Sequence, residues 1–251
     1  MLSHNQLKHL RSLGVKKYRQ QHGQFLVEGD KMVAELLAQT RIGAASIFAL
    51  EGWMEENTSL IQPFSEKTQA VTESELAKIS ALTTPNQVLA VATLPLATCN
   101  LQLVTTNLCF YLDGIQDPGN MGSILRVADW FGFPAVFCSP DCADVFSPKV
   151  VQASMGAIFR VHSWEIELAE LVAAAPQMPV VGAVLDGENV FEATLPTSGL
   201  LVIGNEGRGI SPQVENLLTH RFSIPRHQTG GAESLNAAVA AGILAAAFRM
   251  K

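Results

Sequence analysis

LLVIGNEGRGIS, residues 200–211, is the stretch on which the fold turns. Four consecutive apolar residues closed by a glycine are too short for a helix and read as a strand buried on both faces. Three glycines follow within six residues (Gly204, Gly207, Gly209), allowing positive φ and close approach of the backbone to a ligand, with Glu206 between them. The spacing is not the GxGxxG of a dinucleotide site, and the strand comes late in the chain. Taken alone, the loop reads equally as a ligand lip or as a left-handed turn before a helix starting at Ser211-Pro212.

Working outward, apolar strands recur at FYLDGI (110–115), AVFCS (135–139), VVGAVLD (180–186) and RFSIP (221–225), separated by helical stretches. The alternation predicts an α/β fold with a mostly parallel sheet covered on both faces. Ligands of such sheets bind beyond the carboxyl ends of the strands. Two further polar loops fall there. In DGIQDPGNMGSILR (113–126), Asp117-Pro118-Gly119 turns and Asn120 leads into a helix carrying Arg126. That is either an anion-binding turn at a helix N-terminus or an Asn-capped helix with a surface arginine. In IPRHQTGGAESLN (224–236), Ser234 and Asn236 flank the start of an Ala- and Gly-rich helix whose small residues permit close packing.

Residues 1–95 read as a separate small α/β domain. Strands are expected at Gln24–Glu28, Ile47–Leu50, Ile61–Pro63 and Val88–Ala92, and helices at Asp30–Gln39 and Glu73–Ser80. Thr93–Asn100 reads as the linker, dividing the chain into 1–95 and 96–251. With 48% hydrophobic and 16% charged residues, a sizeable core is available and wholesale disorder is excluded. No window approaches the roughly 18 apolar residues of a membrane span, and the N-terminus lacks the apolar run of a secretory signal. Cys99, Cys109, Cys138 and Cys142 lack CxxC spacing and there is no HExxH, so neither a disulfide framework nor a metal site is expected, and a cytoplasmic location is. The net charge of −6 argues against nucleic acid, yet Met1–His22 carries Lys8, Arg11, Lys16, Lys17 and Arg19 with no acid. Such a segment can neutralise phosphates, or simply be a solvated basic face.

Together and in this order, the three loops resemble the SpoU (SPOUT class) family of RNA 2′-O-ribose methyltransferases. NMGSILRVADWFG resembles its first motif, VIGNEGRGIS its second and IPRHQTGGAESLNAAVAAGI its third. KVVQASMGAIFRV (149–161) resembles a further family segment through Ser154, Gly156, Ala157 and Arg160, while FLVEGDKMVAELL and LTTPNQVLAVA resemble the substrate-binding domain often fused before it. The resemblance implies a C-terminal trefoil knot, which periodicity could never suggest, preceded by a ribosomal-protein-like α/β domain. It implies S-adenosylmethionine as cofactor, held at Ala183, Leu185, Ile203, Gly204, Ile224 and Leu235, and a homodimer through the knot region. The reaction would fall to Arg126, Asn120, Glu206, Ser234 and Asn236, with no metal; the basic N-terminal residues would contact structured RNA, ribosomal rather than transfer RNA. Arg126 stays charged, because a guanidinium does not deprotonate, so a positioning and electrostatic role is expected of it. Arg226 stands where the third motif commonly has methionine, and the loop after it is longer. Competing readings are a base-nitrogen methyltransferase, which should lack the N-x-G-S-I-x-R of the first motif, a silent RNA-binding or ribosome-assembly factor on the same fold, and a nicotinamide dehydrogenase, disfavoured by the glycine pattern.

Overall fold

The structure is a computed structural model; it describes residues 1–95 and 98–250. Leu96 and Ala97, inside the expected linker, lie outside the described residues. The chain packs as two compact units, Met1–Leu96 with Asp144–Phe159, and Ala97–Ala143 with Arg160–Lys251.

In the first unit, α1 (His4–Ser12) and α2 (Lys16–His22) precede β1 (Gln24–Glu28), α3 (Asp30–Ala38), β2 (Ala44–Ala49), α4 (Glu51–Glu56), α5 (Thr58–Ile61), β3 (Thr68–Ala70), α6 (Glu73–Ile79) and β4 (Val88–Thr93). The sheet order is β1-β4-β2-β3; only β2 and β3 run parallel. Strand alternation sends Leu26, Phe48, Leu89 and Val91 to one face, where they pack with Leu10 and Leu13 of the first helical turn region and Leu76 and Ile79 of α6. Two capping boxes set the helix starts, Ser3 with Gln6 and Thr72 with Glu75. Glu75 also accepts from the Leu2 amide at 2.5 Å. These backbone hydrogen bonds, Thr72 first and Leu2 second, hold its carboxyl below the usual range. Ile61–Pro63 is not a strand. Ile61 ends α5, and Pro63, which needs no amide partner at a helix start, leads a 3-10 turn over Gln62–Lys67.

The late segment of this unit contains α9 (Pro148–Ser154), numbered in chain order after α7 (Gln102–Thr106) and α8 (Pro118–Trp130) of the second unit. It packs on β1. The Arg41 guanidinium donates to the carbonyls of Ile158 and Phe159, and Val150, Val151, Ala157, Ile158 and Phe159 are all buried.

The second unit runs α7, β5 (Leu108–Asp113), α8, β6 (Ala135–Cys138), β7 (His162–Glu165), α10 (Leu168–Ala174), β8 (Val180–Asn189), β9 (Gly199–Gly204), α11 (Pro212–Glu215), β10 (His220–Ser223) and α12 (Ala237–Arg249). All six strands are parallel in the order β10-β8-β9-β5-β6-β7. Cys109, Tyr111, Phe137 and Val202 face one layer with Val104, Leu168, Leu171 and Val214, and burial pushes the Cys109 thiol up to about 12. On the other layer α12 packs against α8 and β9. The small residues Ala241 and Ala245 of α12 are wholly buried within the chain, so the close packing expected of that helix is used internally. β7 has no counterpart in the sequence reading.

Candidate active site

Successive strands depart in opposite directions from β5, to β6 and β7 on one side, while β9 lies on the other. A parallel sheet opens a crevice beyond its carboxyl ends at such a switch point. Here the carboxyl ends at that point are Asp113-Gly114 and Gly204-Asn205, since Asp113 pairs with Gly204 in register.

The first motif loop rises from β5 into α8. The N-cap is Asp117, which accepts from the Asn120 amide at 2.8 Å, followed by Pro118. Asn120 therefore lies inside the first turn and is not the cap. Of the two readings of this loop, a capped helix is the one observed, with Asp117 rather than Asn120 as the cap and a carboxylate at the positive end of the helix dipole.

The second motif loop is a tight hairpin. Asn205 and Gly209 exchange backbone hydrogen bonds of 3.0 and 2.9 Å, with Glu206, Gly207 and Arg208 at the tip. A Cβ on Gly204 would stand 2.5 Å from the Ile210 nitrogen and 2.6 Å from the Gly209 oxygen, so only glycine lets the hairpin fold back over its own strand. The third motif ends at Asn236, the N-cap of α12, whose Oδ1 accepts from the amides of Ala238 (3.0 Å) and Val239 (3.3 Å).

Three side chains, one from each motif, join in a single chain of hydrogen bonds. Asn236 Nδ2 donates to Asn120 Oδ1 at 2.9 Å, and Asn120 Nδ2 donates to Glu206 Oε1. The α12 amides begin the chain and the Glu206 carboxylate ends it, so every dipole points the same way. Each amide retains one N–H, and Glu206 retains its second oxygen, for a further partner.

The other site residues stand apart from this chain. Arg126 is exposed and, among the described residues, has no hydrogen bond or ion pair. Six residues beyond Asn120, it lies about 120° round the helix. Ser234 and Leu235 are exposed in the loop before α12. Arg226 is exposed, and its guanidinium donates to the Ala232 carbonyl at 3.1 Å, bridging the lengthened loop.

Ala183 follows Gly182 on β8, Ile203 and Gly204 end β9, and Ile224 follows β10. Gly182 pairs with both Val202 and Arg221, and the next β8–β10 pair is Glu188 with Phe222. Residues 183–187 thus leave the ladder between β9 and β10, where Leu185 is 82% exposed. Gly187 returns against the carbonyl carbons of Arg221 and Phe222, at distances a side chain could not tolerate. Arg221 braces this excursion through Asp186 (3.0 Å) and Glu215 (2.7 Å).

Of the basic N-terminal residues, Lys8, Arg11 and Lys17 are exposed and Lys16 is half-buried; Arg11 also donates to the Lys78 carbonyl. Arg19 must be withdrawn as a phosphate contact. It is 3% exposed, donates to the Leu13 carbonyl at 2.7 Å and forms an ion pair with Asp144. Charge counting along a helix cannot tell its inward face from its outward one. Sequence reasoning also missed Asn205 and Asp113, polar residues at strand ends whose only signal was their position beside glycines.

The SpoU rRNA Methylase family matches residues 107–246, and the MRM3-like substrate binding domain matches residues 4–90. The chain is 30% identical to the 23S rRNA guanosine 2′-O-methyltransferase RlmP of Bacillus subtilis, over 95% of this chain and 93% of that one. A structure from Porphyromonas gingivalis, assigned to the TrmH family of RNA methyltransferases, is similar with TM-score 0.89 and 42% identity, covering 100% and 99% of the two chains. The SpoU methyltransferase AviRb of Streptomyces viridochromogenes, solved with AdoMet, gives TM-score 0.83 and 26% identity over 99% and 98%. With the switch-point crevice, the three-motif hydrogen-bond chain and these matches in agreement, the chain belongs to the SpoU rRNA methylase family.

Proposed function

We propose that this chain transfers a methyl group from S-adenosylmethionine to a ribose 2′-hydroxyl of ribosomal RNA. Family membership and the similarity to RlmP support the reaction and the RNA class. The observation that carries the site is the chain Asn236–Asn120–Glu206, which ties all three motifs into one frame.

When bound, S-adenosylmethionine supplies an electrophilic methyl on a sulfonium, so the protein's task is mainly alignment of the reactants. Ala183 and Leu185 of the β8 excursion, Ile203 and Gly204 at the end of β9, Ile224 after β10 and Leu235 before α12 would hold it. The spare N–H groups of Asn120 and Asn236 orient the ribose, with Ser234 completing the frame, and the free Glu206 oxygen accepts the hydroxyl hydrogen bond. Arg126 addresses the RNA from another face of α8, holding the adjacent phosphate and stabilising negative charge on the ribose oxygen as its proton leaves.

The excursion of β8 and the placement of β9 between β8 and β5 support the trefoil knot as the architecture around the cofactor. The exposed Trp130, Leu185, Phe191 and Val239 support a homodimer formed by this unit. Lys8, Arg11, Lys16 and Lys17 carry RNA backbone contacts on a ribosomal-protein-like first domain, and the enzyme acts in the cytoplasm. No described helix is long and apolar enough to cross a membrane, and no group of three metal-ligating side chains occurs among the described residues.

The test is methylation of ribosomal RNA from cells lacking this protein, using methyl-labelled S-adenosylmethionine. Label in an alkali-resistant 2′-O-methyl nucleotide is expected. Label on a base nitrogen, or no transfer, refutes the proposal.

A further inference from the structure

Glu206 ends the hydrogen-bond chain, and its single bond from Asn120 does not by itself fix the height of its carboxylate. It sits at the tip of a hairpin with glycines on both flanks, the kind of loop that drifts unless it is tied. Two side chains outside the proposed reaction set do the tying, one at each end of the loop.

Asn205 is tied through both ends of its amide. Its Nδ2 donates to the Gly114 carbonyl at 2.7 Å, and its Oδ1 accepts from the amides of Gly207 (2.9 Å) and Arg208 (3.2 Å). Gly114 itself donates its N–H to Ser139 Oγ at 2.9 Å, and Ser139 donates on to Asp141 at 2.5 Å. The peptide that anchors Asn205 is held as well, since its own N–H, on Ile115, donates to Cys142 Sγ at 3.3 Å. At the other end, the carboxylate of Asp113, 6% exposed, accepts from the Ser211 amide at 2.6 Å. Both anchors are on the β5 turn, the same turn that leads into α8 and Asn120. The loop and Asn120 therefore share one reference point.

We propose that Asn205 and Asp113 are positioning residues for methyl transfer, pinning the Glu206 hairpin to the β5 turn so that the carboxylate stays on Asn120. This rests on the assignment of Glu206 to the reaction.

The test is a double-mutant cycle read as single-turnover methylation of ribosomal RNA at saturating S-adenosylmethionine. Asn205→Ala should slow the parent by about tenfold, the worth of a lost anchoring hydrogen bond. On the Glu206→Ala background it should slow transfer by less than about twofold, because a residue acting through Glu206 has nothing left to position. Asn205→Asp keeps the acceptor for Gly207 and Arg208 and loses only the donor to Gly114. Its rate should fall below the parental rate on the parent background, because a carboxylate cannot donate to the Gly114 carbonyl. Asp113→Asn, which can still accept from Ser211, should recover most of what Asp113→Leu loses. Equal factors for Asn205→Ala on both backgrounds, with Glu206→Ala impaired, overturn the positioning role alone. A Glu206→Ala protein at the parental rate removes Glu206 from the reaction and takes the positioning role with it. If Asn205→Ala does not fold, Asn205→Asp is read in the same cycle, and an equal factor with and without Glu206 overturns the proposal.

Discussion

Replacing Arg19 with alanine separates a structural arginine from an RNA-binding one. The guanidinium is almost wholly buried, and its partner Asp144 has 18% of its side chain exposed. Deleting one member of a buried pair strands the other charge and costs about 3–5 kcal/mol. Partial exposure of Asp144 lets water recover part of that, so about 3 kcal/mol is expected. For a unit of this size the unfolding midpoint should fall by about 10 °C. The assay is thermal unfolding of the parent, Arg19→Ala, Asp144→Ala and the double variant. The double should be little worse than either single, because the second deletion removes a charge already orphaned. RNA affinity measured well below the transition should stay near parental for Arg19→Ala. An unmoved midpoint together with weakened RNA binding would return Arg19 to the RNA surface and refute the reasoning.

Arg126→Ala should lose transfer by about 10²-fold or more, by analogy with removing an oxyanion donor. Its fold and cofactor affinity, read by calorimetry, should stay near parental, and Arg126→Lys should recover little because it lacks the planar fork. A parental rate in both would make Arg126 a bystander. Glu75→Gln tests a pH dependence. The folded pKa of Glu75 is depressed, so its stabilisation is complete above the unfolded value of about 4 and is lost as pH falls through the folded one. The melting-temperature gap between parent and variant should therefore be open at pH 7 and close in acid; a gap that persists unchanged at low pH contradicts the assignment. Removing residues 1–95 should uncover Val150, Val151, Ile158 and Phe159, leaving a fragment that aggregates in gel filtration. A monodisperse fragment with parental cofactor affinity would show that this apolar segment needs no cover.

The parallel sheet was legible because β5, β6, β8 and β9 begin as continuous apolar runs, which only a strand covered on both faces explains. β7 was not, since HSWE is a short edge strand with one large apolar residue. Ile61–Pro63 misled through its apolar first residue, where helix geometry and a proline at the start of a 3-10 turn prevailed. The motif residues Asn120, Glu206 and Asn236 could be named from order and spacing, but the hydrogen bonds that join them depend on contacts more than eighty residues apart. Burial likewise escaped the sequence: Arg19 looks identical to Lys17 in a charge count, and only the packing of a distant segment decides that one points in and the other out.

That distant segment also orders events during synthesis. Asp144 leaves the ribosome 125 residues after Arg19, a delay of roughly 6–25 s at ordinary elongation rates. Through that interval the amino-terminal unit holds an unpaired cation in its interior and lacks the cover that α9 later gives β1. It cannot finish folding on its own schedule, and the nascent methyltransferase unit begins to assemble while its neighbour is still open. The two halves mature together, and a chaperone that recognises open apolar strands has its opportunity in that window.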